Sequence, residues 1–324
     1  MKYLVYGAGA VGGVVGAHLH RSGQDATLVA RGEHLARIRE DGLRLDTADG
    51  ELVLDMPAVA CAAEAHWSAD TVVLLCVKSH QTGAALEDLA GHAPPDTPVV
   101  SVQNGVSNEP AILRLFEATY AVCVMLPSTH LEPGVVVQKC HPTPGILDIG
   151  RVPRGTDELT GTVSADLRTA GFESVPRSDI MAWKYRKLLM NLGNGIDAVC
   201  RPDEAAEEPV RRARAEGEHV LAEAGIPVVS ARDDAVRRGD ILRSRTDDGF
   251  RRGGSTWQSL IRGSVTRGSG VEIDHLSGEI VLVGRWHGVP TPVNALVQRT
   301  TADLARRGGP PRSLDAADLL AQLG

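Results

Sequence analysis

Two hydrophobic rhythms divide the chain. Up to about residue 178, short apolar runs alternate with stretches whose apolar residues recur every three or four positions. The runs at 3–6, 26–29, 72–77 and 99–102 predict strands. The run at 72–77 is apolar throughout, as a strand buried on both faces of a parallel sheet requires. Residues 14–21, 34–40 and 82–89, and a stretch from Asn108 or Glu109, predict helices, with Gly23 closing the first. Residues 43–45 and 52–54 predict a hairpin turned at Ala48-Asp49-Gly50. Runs at 121–126, 135–138 and 146–149, with a turn at Glu132-Pro133-Gly134, predict an antiparallel extension of the same sheet. A helix near 159–169 and a strand near 172–175 complete this half. From about Asp179 the period is helical to the end, in segments starting at Ile180, Glu207, Asp233, Ser255, Glu272 and Pro292, with a last one near Leu314. The pattern predicts a doubly wound α/β domain over 1–178 and an all-helical domain over 179–324.

Composition narrows the class. A chain of 324 residues suggests two domains with separate cores, and 43% hydrophobic with 23% charged residues is ordinary for a soluble globular protein. The formal charge of −7 gives no electrostatic reason to bind nucleic acid or an anionic membrane, and no apolar run approaches a membrane span. The first strand starts at residue 3, so no signal or transit peptide is expected before it. Five cysteines, at 61, 76, 123, 140 and 200, form no CxxC pair. This is cytosolic usage without a disulfide framework or zinc site, and Cys76 and Cys123 read as small core residues. The histidines show no ligand spacing, so no metal is expected. The expectation is a cytoplasmic protein acting on a small molecule.

The first strand runs into Gly7-Ala8-Gly9-Ala10-Val11-Gly12, and a helix follows. In that context the glycines fit a dinucleotide pyrophosphate loop. The first permits the turn, the second lets backbone approach the pyrophosphate, and the third lets helix and strand pack closely. The helix N-terminus aims its N–H groups at the anion. NAD binders usually carry an acid at the end of the second strand, for the ribose 2′-hydroxyl. Here Arg31 stands there, which suits a 2′-phosphate, with Glu33 close by as a counter-signal.

Other polar residues collect where the fold would bind ligands. The strand at 72–77 ends in Lys78-Ser79-His80-Gln81 and the strand at 99–102 in Gln103-Asn104-Gly105, both on the predicted ligand edge. Lysine occurs only at 2, 78, 139, 184 and 187 among 34 basic residues, which draws attention to Lys78 and Lys187. Lys187, Asn191 and Asn194 are spaced to share one helix face, which would line either a pocket or solvent. A desolvated lysine can serve as a general acid near neutral pH. Ser255 and Gln258 form a capping-box pattern after Gly253-Gly254, and the same helix start could take a carboxylate. Glu272 opens a helix with Ile273, Leu276, Ile280 and Val283 on its apolar face, where an acid also suits the helix dipole.

With these residues in place, the chain resembles the ketopantoate reductases (2-dehydropantoate 2-reductases) over nearly its whole length. The likeness rests on the glycine loop, Arg31, Val77-Lys78, Gln103-Asn104-Gly105, Lys187 with Asn191, Ser255 with Gln258, and Glu272-Ile273-Asp274. It implies a Rossmann-type domain followed by a helical domain, a 6-phosphogluconate dehydrogenase-like arrangement, and reduction of a 2-keto acid with NADPH in coenzyme A biosynthesis. By resemblance, Lys187 is the general acid and Glu272 its partner, which also touches the cofactor. Ser255 takes the substrate carboxylate and Asn191 a hydroxyl, and Asn104 and Lys78 lie at the junction of cofactor and substrate. Two positions depart from the family pattern: Gly195 replaces its second asparagine, for which Asn194 is the substitute, and Arg252 replaces an asparagine before the serine. The substrate therefore stays open between ketopantoate and another 2-keto acid, as in a paralogue of a dedicated pathway. A non-catalytic NADPH-binding regulator is the third reading. A homodimer is compatible with the resemblance, which does not fix the oligomeric state.

Overall fold

The computed structural model describes residues 1–242 and 272–323. By packing, they fall into two compact units. The first holds 1–104, 108–184 and, of the described residues, 231–242; the second holds 105–107, 185–230 and 272–323.

The first unit is built on a seven-stranded sheet. Its strands are β1 (Lys2–Tyr6), β2 (Asp25–Val29), β5 (Ala58–Val59), β6 (Thr71–Leu75), β7 (Val99–Ser101), β8 (Thr119–Met125) and β11 (Ile146–Arg151), in the order β11-β8-β7-β6-β1-β2-β5. All neighbours are parallel except β11 on β8. The order reverses at β1, between β2 and β6, and a doubly wound sheet binds ligands outside the carboxyl ends of its strands at such a point. Alternate residues of β1 feed two cores. Tyr3 and Val5 pack on one face with Val14 and Ala17 of α1 (Ala10–Arg21), and Leu4 and Tyr6 on the other with Leu86 and Leu89 of α3 (Thr82–His92). Helices α2 (Gly32–Asp41), α4 (Asn108–Leu113) and α5 (Glu158–Thr169) complete the layers.

Two strand expectations change. Residues 146–151 do extend the main sheet antiparallel to β8, but β10 (Val135–Gln138) does not join it. It forms a second, four-stranded sheet with the hairpin β3 (Leu43–Thr47) and β4 (Gly50–Leu54) and with β9 (Ser128–Thr129), in the order β4-β3-β10-β9. The reason is a close seat on α1: a Cβ on Gly13 would stand 2.5 Å from Val136 Cγ1. Residues 172–175 form no strand: isolated bridges stand at Glu173 and Pro176, and between them the Val175 N–H goes to the Asp148 carboxylate instead of a ladder carbonyl.

The second unit is helical. Helix α6 (Ile180–Asn191) enters it from the first unit and is followed by α7 (Gly193–Val199), α8 (Glu207–Glu223), Ser277–His287, Pro292–Arg307 and Ala316–Ala321. Gly217 lets α8 approach α6, since a Cβ there would lie 2.6 Å from Leu189 Cδ2. The Glu216 carboxylate of α8 accepts the Val293 and Asn294 N–H groups and so caps Pro292–Arg307. The helix expected to run past Asn194 is interrupted at Leu192, and Glu272 lies in a 3₁₀ turn (Glu272–His275) that precedes the helix at Ser277. Helix α9 (Ala231–Arg238) packs with the first unit, where Arg237 makes two hydrogen bonds to Asp148, at 2.9 and 2.7 Å. Among the described residues no helix is long and apolar enough to cross a membrane.

Candidate active site

The glycine loop has a distinct reason for each glycine. Gly7 has φ +107°, and a Cβ there would meet Val77 Cγ1 at 2.8 Å, so only glycine fits the turn. A Cβ on Gly12 would strike the Gly7 carbonyl and come within 2.7 Å of Cys76 Cβ, which is the close helix–strand packing. Gly9 differs: a Cβ there would meet nothing within 4 Å. Its missing side chain leaves open a cradle at the start of α1, a helix that no side chain caps. A pyrophosphate fits that cradle, with Gly7, Ala8, Gly9, Ala10, Val11 and Gly12 as its backbone. The loop is stapled to the neighbouring strand, since the Val29 carbonyl accepts the N–H groups of both Gly7 and Ala8.

Arg31 stands just after β2 and caps α2 in extended geometry. It is exposed, and its Nη2 donates to the Tyr6 hydroxyl at 3.2 Å. Glu33 lies in the first turn of α2. Nearby His34 was not foreseen. Its Nδ1 accepts the Gly134 N–H at 2.8 Å, so its Nε2 carries the proton and donates to the Ala8 carbonyl at 2.7 Å. The imidazole thus ties the second residue of the loop to the small sheet's turn.

At the carboxyl ends of β6 and β7 a polar network fixes the peptide at Asn104. Gln103 Nε2 donates to the Val77 carbonyl and to Thr82 Oγ1, at 2.8 and 2.9 Å. Thr82 donates to Asn108, whose Nδ2 donates to Ser79 Oγ and to the Asn104 carbonyl. Half-buried Lys78 and Asn104 sit just past the ends of β6 and β7. The sequence reading overlooked Lys184. Its ammonium donates to the Gln103 carbonyl at 2.8 Å and the Val122 carbonyl at 3.3 Å, and pairs with Glu109 at 2.7 Å. The signal was present, since Lys184 is one of five lysines, but its partners are remote in sequence.

In the second unit, Lys187 and Asn191 lie one turn apart on α6, Lys187 half-buried and Asn191 buried. Asn194 falls beyond the Leu192 interruption, on α7, so the single continuous face expected for all three is not formed by one helix. Gly195 has no room for a side chain: a Cβ would stand 2.7 Å from both Ile273 Cδ1 and Val297 Cγ1. That contact brings α7 against the turn carrying Glu272, whose side chain is buried. The same turn bonds residue 107, with Ser107 Oγ and His275 Nδ1 2.8 Å apart. Ser255, Gln258 and Arg252 lie outside the described residues. Among the described residues no His, Cys, Asp and Glu side chains cluster as a metal site would need. Cys123 is buried, and Cys76 packs at the core edge, where burial pushes its thiol pKa up.

The model for the family described as Ketopantoate reductase PanE/ApbA matches residues 3–154, and that for its C-terminal domain matches 179–304. A 2-dehydropantoate 2-reductase of Halobacterium salinarum is 32% identical, over 94% of this chain and 98% of its own length. The crystal structure of a PanE/ApbA family ketopantoate reductase from Ralstonia eutropha superposes with a TM-score of 0.79 at 27% identity, covering 95% of this chain and 99% of that one. A ternary structure of D-mandelate dehydrogenase with NADH and anilino(oxo)acetate superposes with a TM-score of 0.81 at 23% identity, over 95% and 99% of the two chains, a likeness of fold.

Proposed function

The chain belongs to the ketopantoate reductase family of oxidoreductases, and from that membership we propose that it reduces a 2-keto acid, ketopantoate first, to the 2-hydroxy acid with NADPH. The observation that carries the cofactor half is the open cradle at Gly9 beside the exposed guanidinium of Arg31. An arginine at that strand end favours a 2′-phosphate over a bare ribose. The substrate half is supported by relatives bearing the name 2-dehydropantoate 2-reductase.

Bound NADPH supplies the hydride that C2 of the substrate receives. The protein's share is the proton and the positioning. In this reading the Lys187 ammonium donates its proton to the C2 oxygen as negative charge develops there. Glu272 helps to hold that ammonium and the substrate, and it contacts the cofactor. Asn191 takes the substrate hydroxyl, with Asn194 in place of the family's second asparagine, Ser255 takes the carboxylate, and Asn104 and Lys78 hold the junction of substrate and nicotinamide. The product would feed pantothenate and coenzyme A synthesis, in the cytoplasm.

One observation favours a second substrate reading. Gly195, where the family pattern has an asparagine, is closed to any side chain by Ile273 and Val297. A donor missing from that position suits a 2-keto acid other than ketopantoate. The test is NADPH oxidation by purified protein with ketopantoate and a panel of 2-keto acids, with NADH in parallel. The proposal expects turnover with NADPH and ketopantoate. Preference for another 2-keto acid would select the second reading, and NADPH binding without turnover on any of them would leave a regulator.

A further inference from the structure

Arg31 does not hang free at the end of its strand. Its Nη2 rests on the hydroxyl of Tyr6, the last residue of β1. That hydroxyl donates in turn to Asp88 Oδ2 of α3, at 2.6 Å, and the same carboxylate oxygen accepts the Ala62 N–H at 2.8 Å. The three groups form a relay of cation, neutral hydroxyl and anion. Tyr6 is buried and packed by Leu4, Val29 and Leu86, so its ring cannot swing away.

The order of the relay matters chemically. A guanidinium that pairs directly with a carboxylate is partly neutralised and held in a fork, which removes it from a phosphate. A phenol between the two satisfies both with hydrogen bonds and leaves the arginine's charge facing outward. Burial and the bond to Asp88 push the Tyr6 hydroxyl pKa up to about 12, against a smaller opposing effect from Arg31, so the spacer stays neutral at physiological pH.

We propose that Tyr6 is a positioning residue for cofactor choice: its hydroxyl holds Arg31 clear of Asp88 and so keeps the guanidinium available to the 2′-phosphate of NADPH. The proposal rests on the reading of Arg31 as the 2′-phosphate ligand. The glycine loop alone does not foreshadow it, because the residue before Gly7 points away from the pyrophosphate side, into the core shared with α3.

The experiment compares KM and kcat for NADPH and NADH in wild type, Arg31→Ala, Tyr6→Phe, Tyr6→Phe/Asp88→Asn and Arg31→Ala/Tyr6→Phe, with 2-keto acid saturating. Phenylalanine keeps the packing, and circular dichroism checks the fold of each variant. Tyr6→Phe is expected to raise KM for NADPH roughly fivefold to tenfold, the size of one ordinary net hydrogen bond, with kcat and the NADH constants unchanged. Removing the competing acid in Tyr6→Phe/Asp88→Asn is expected to recover most of that loss, and Tyr6→Phe is expected to add nothing to Arg31→Ala. If Arg31→Ala weakens NADPH selectively while Tyr6→Phe leaves the NADPH-to-NADH ratio untouched, the spacer role is overturned and the Arg31 reading stands. If Arg31→Ala weakens both cofactors equally, the Arg31 reading itself fails.

Discussion

Lys184 and Glu109 form an ion pair, Nζ to Oε1 at 2.7 Å, with side chains only 2% and 0% exposed. The ammonium also bonds two backbone carbonyls, whereas among the described groups that ammonium is the carboxylate's one polar partner. The pair is therefore lopsided: the lysine is well satisfied, and the glutamate depends on it. Removing the lysine strands a buried charge, so Lys184→Met should cost about 3–5 kcal/mol of unfolding free energy in urea. A Lys184→Met/Glu109→Leu double variant should regain most of it. A single variant as stable as wild type would show that the pair does not hold the strand end at Gln103.

The glycine loop offers a contrast between two neighbours. Gly12→Ala should perturb the fold, because its Cβ would strike the Gly7 carbonyl. Gly9→Ala has open space around it and should leave the urea midpoint within about 0.5 kcal/mol of wild type. The methyl would nevertheless stand between backbone and pyrophosphate, so NADPH affinity should fall roughly tenfold or more, read by fluorescence titration. An unchanged affinity would remove Gly9 from the cofactor site.

Gly195→Asn restores the residue that the family pattern carries. With Ile273 and Val297 each 2.7 Å from the added Cβ, overpacking should destabilise the chain by about 1–3 kcal/mol, measured by denaturant unfolding. Undiminished stability would mean that α7 shifts to make room, and packing would then not be what excludes an asparagine there.

How much of this was legible depended on the range of the interaction. The loop, the strands at 3–6, 72–77 and 99–102, and the helical second half follow from local pattern and turn chemistry. The partner of Val135–Gln138 did not, because its pairing with Leu43–Thr47 is set by the seat of Val136 on Gly13, far away in sequence. Lys184 failed for the same reason: nothing near it in sequence announces Glu109. Asn194 was legible as a polar residue, but its place was not, since a one-residue interruption at Leu192 is not marked by proline or glycine at that position. The roles of Lys187, Glu272 and Asn191 came from resemblance.

Acid sensitivity should trace in part to His18. Burial, the largest effect, holds its pKa below the ordinary 6.5, and its Nε2 lies 2.6 Å from Gln138 Oε1. The folded chain thus keeps the ring neutral where the unfolded chain takes up a proton. Its stabilising contribution is complete above pH 6.5 and declines as pH falls below that value towards the folded pKa. His18→Gln should flatten the dependence of unfolding free energy on pH below 6.5 relative to wild type. Identical slopes would exclude His18 from the acid response.

The most direct test of the central claim pairs turnover with binding in one variant. Wild-type protein and Lys187→Ala are assayed for NADPH consumption with ketopantoate, and NADPH binding is measured for both. The account predicts one NADPH consumed per 2-hydroxy acid formed by wild type, a kcat lower by about 10²–10⁴-fold in Lys187→Ala, and NADPH affinity retained. Wild type that oxidises NADPH with no 2-keto acid, or a Lys187→Ala variant that turns over as fast as wild type, would contradict it.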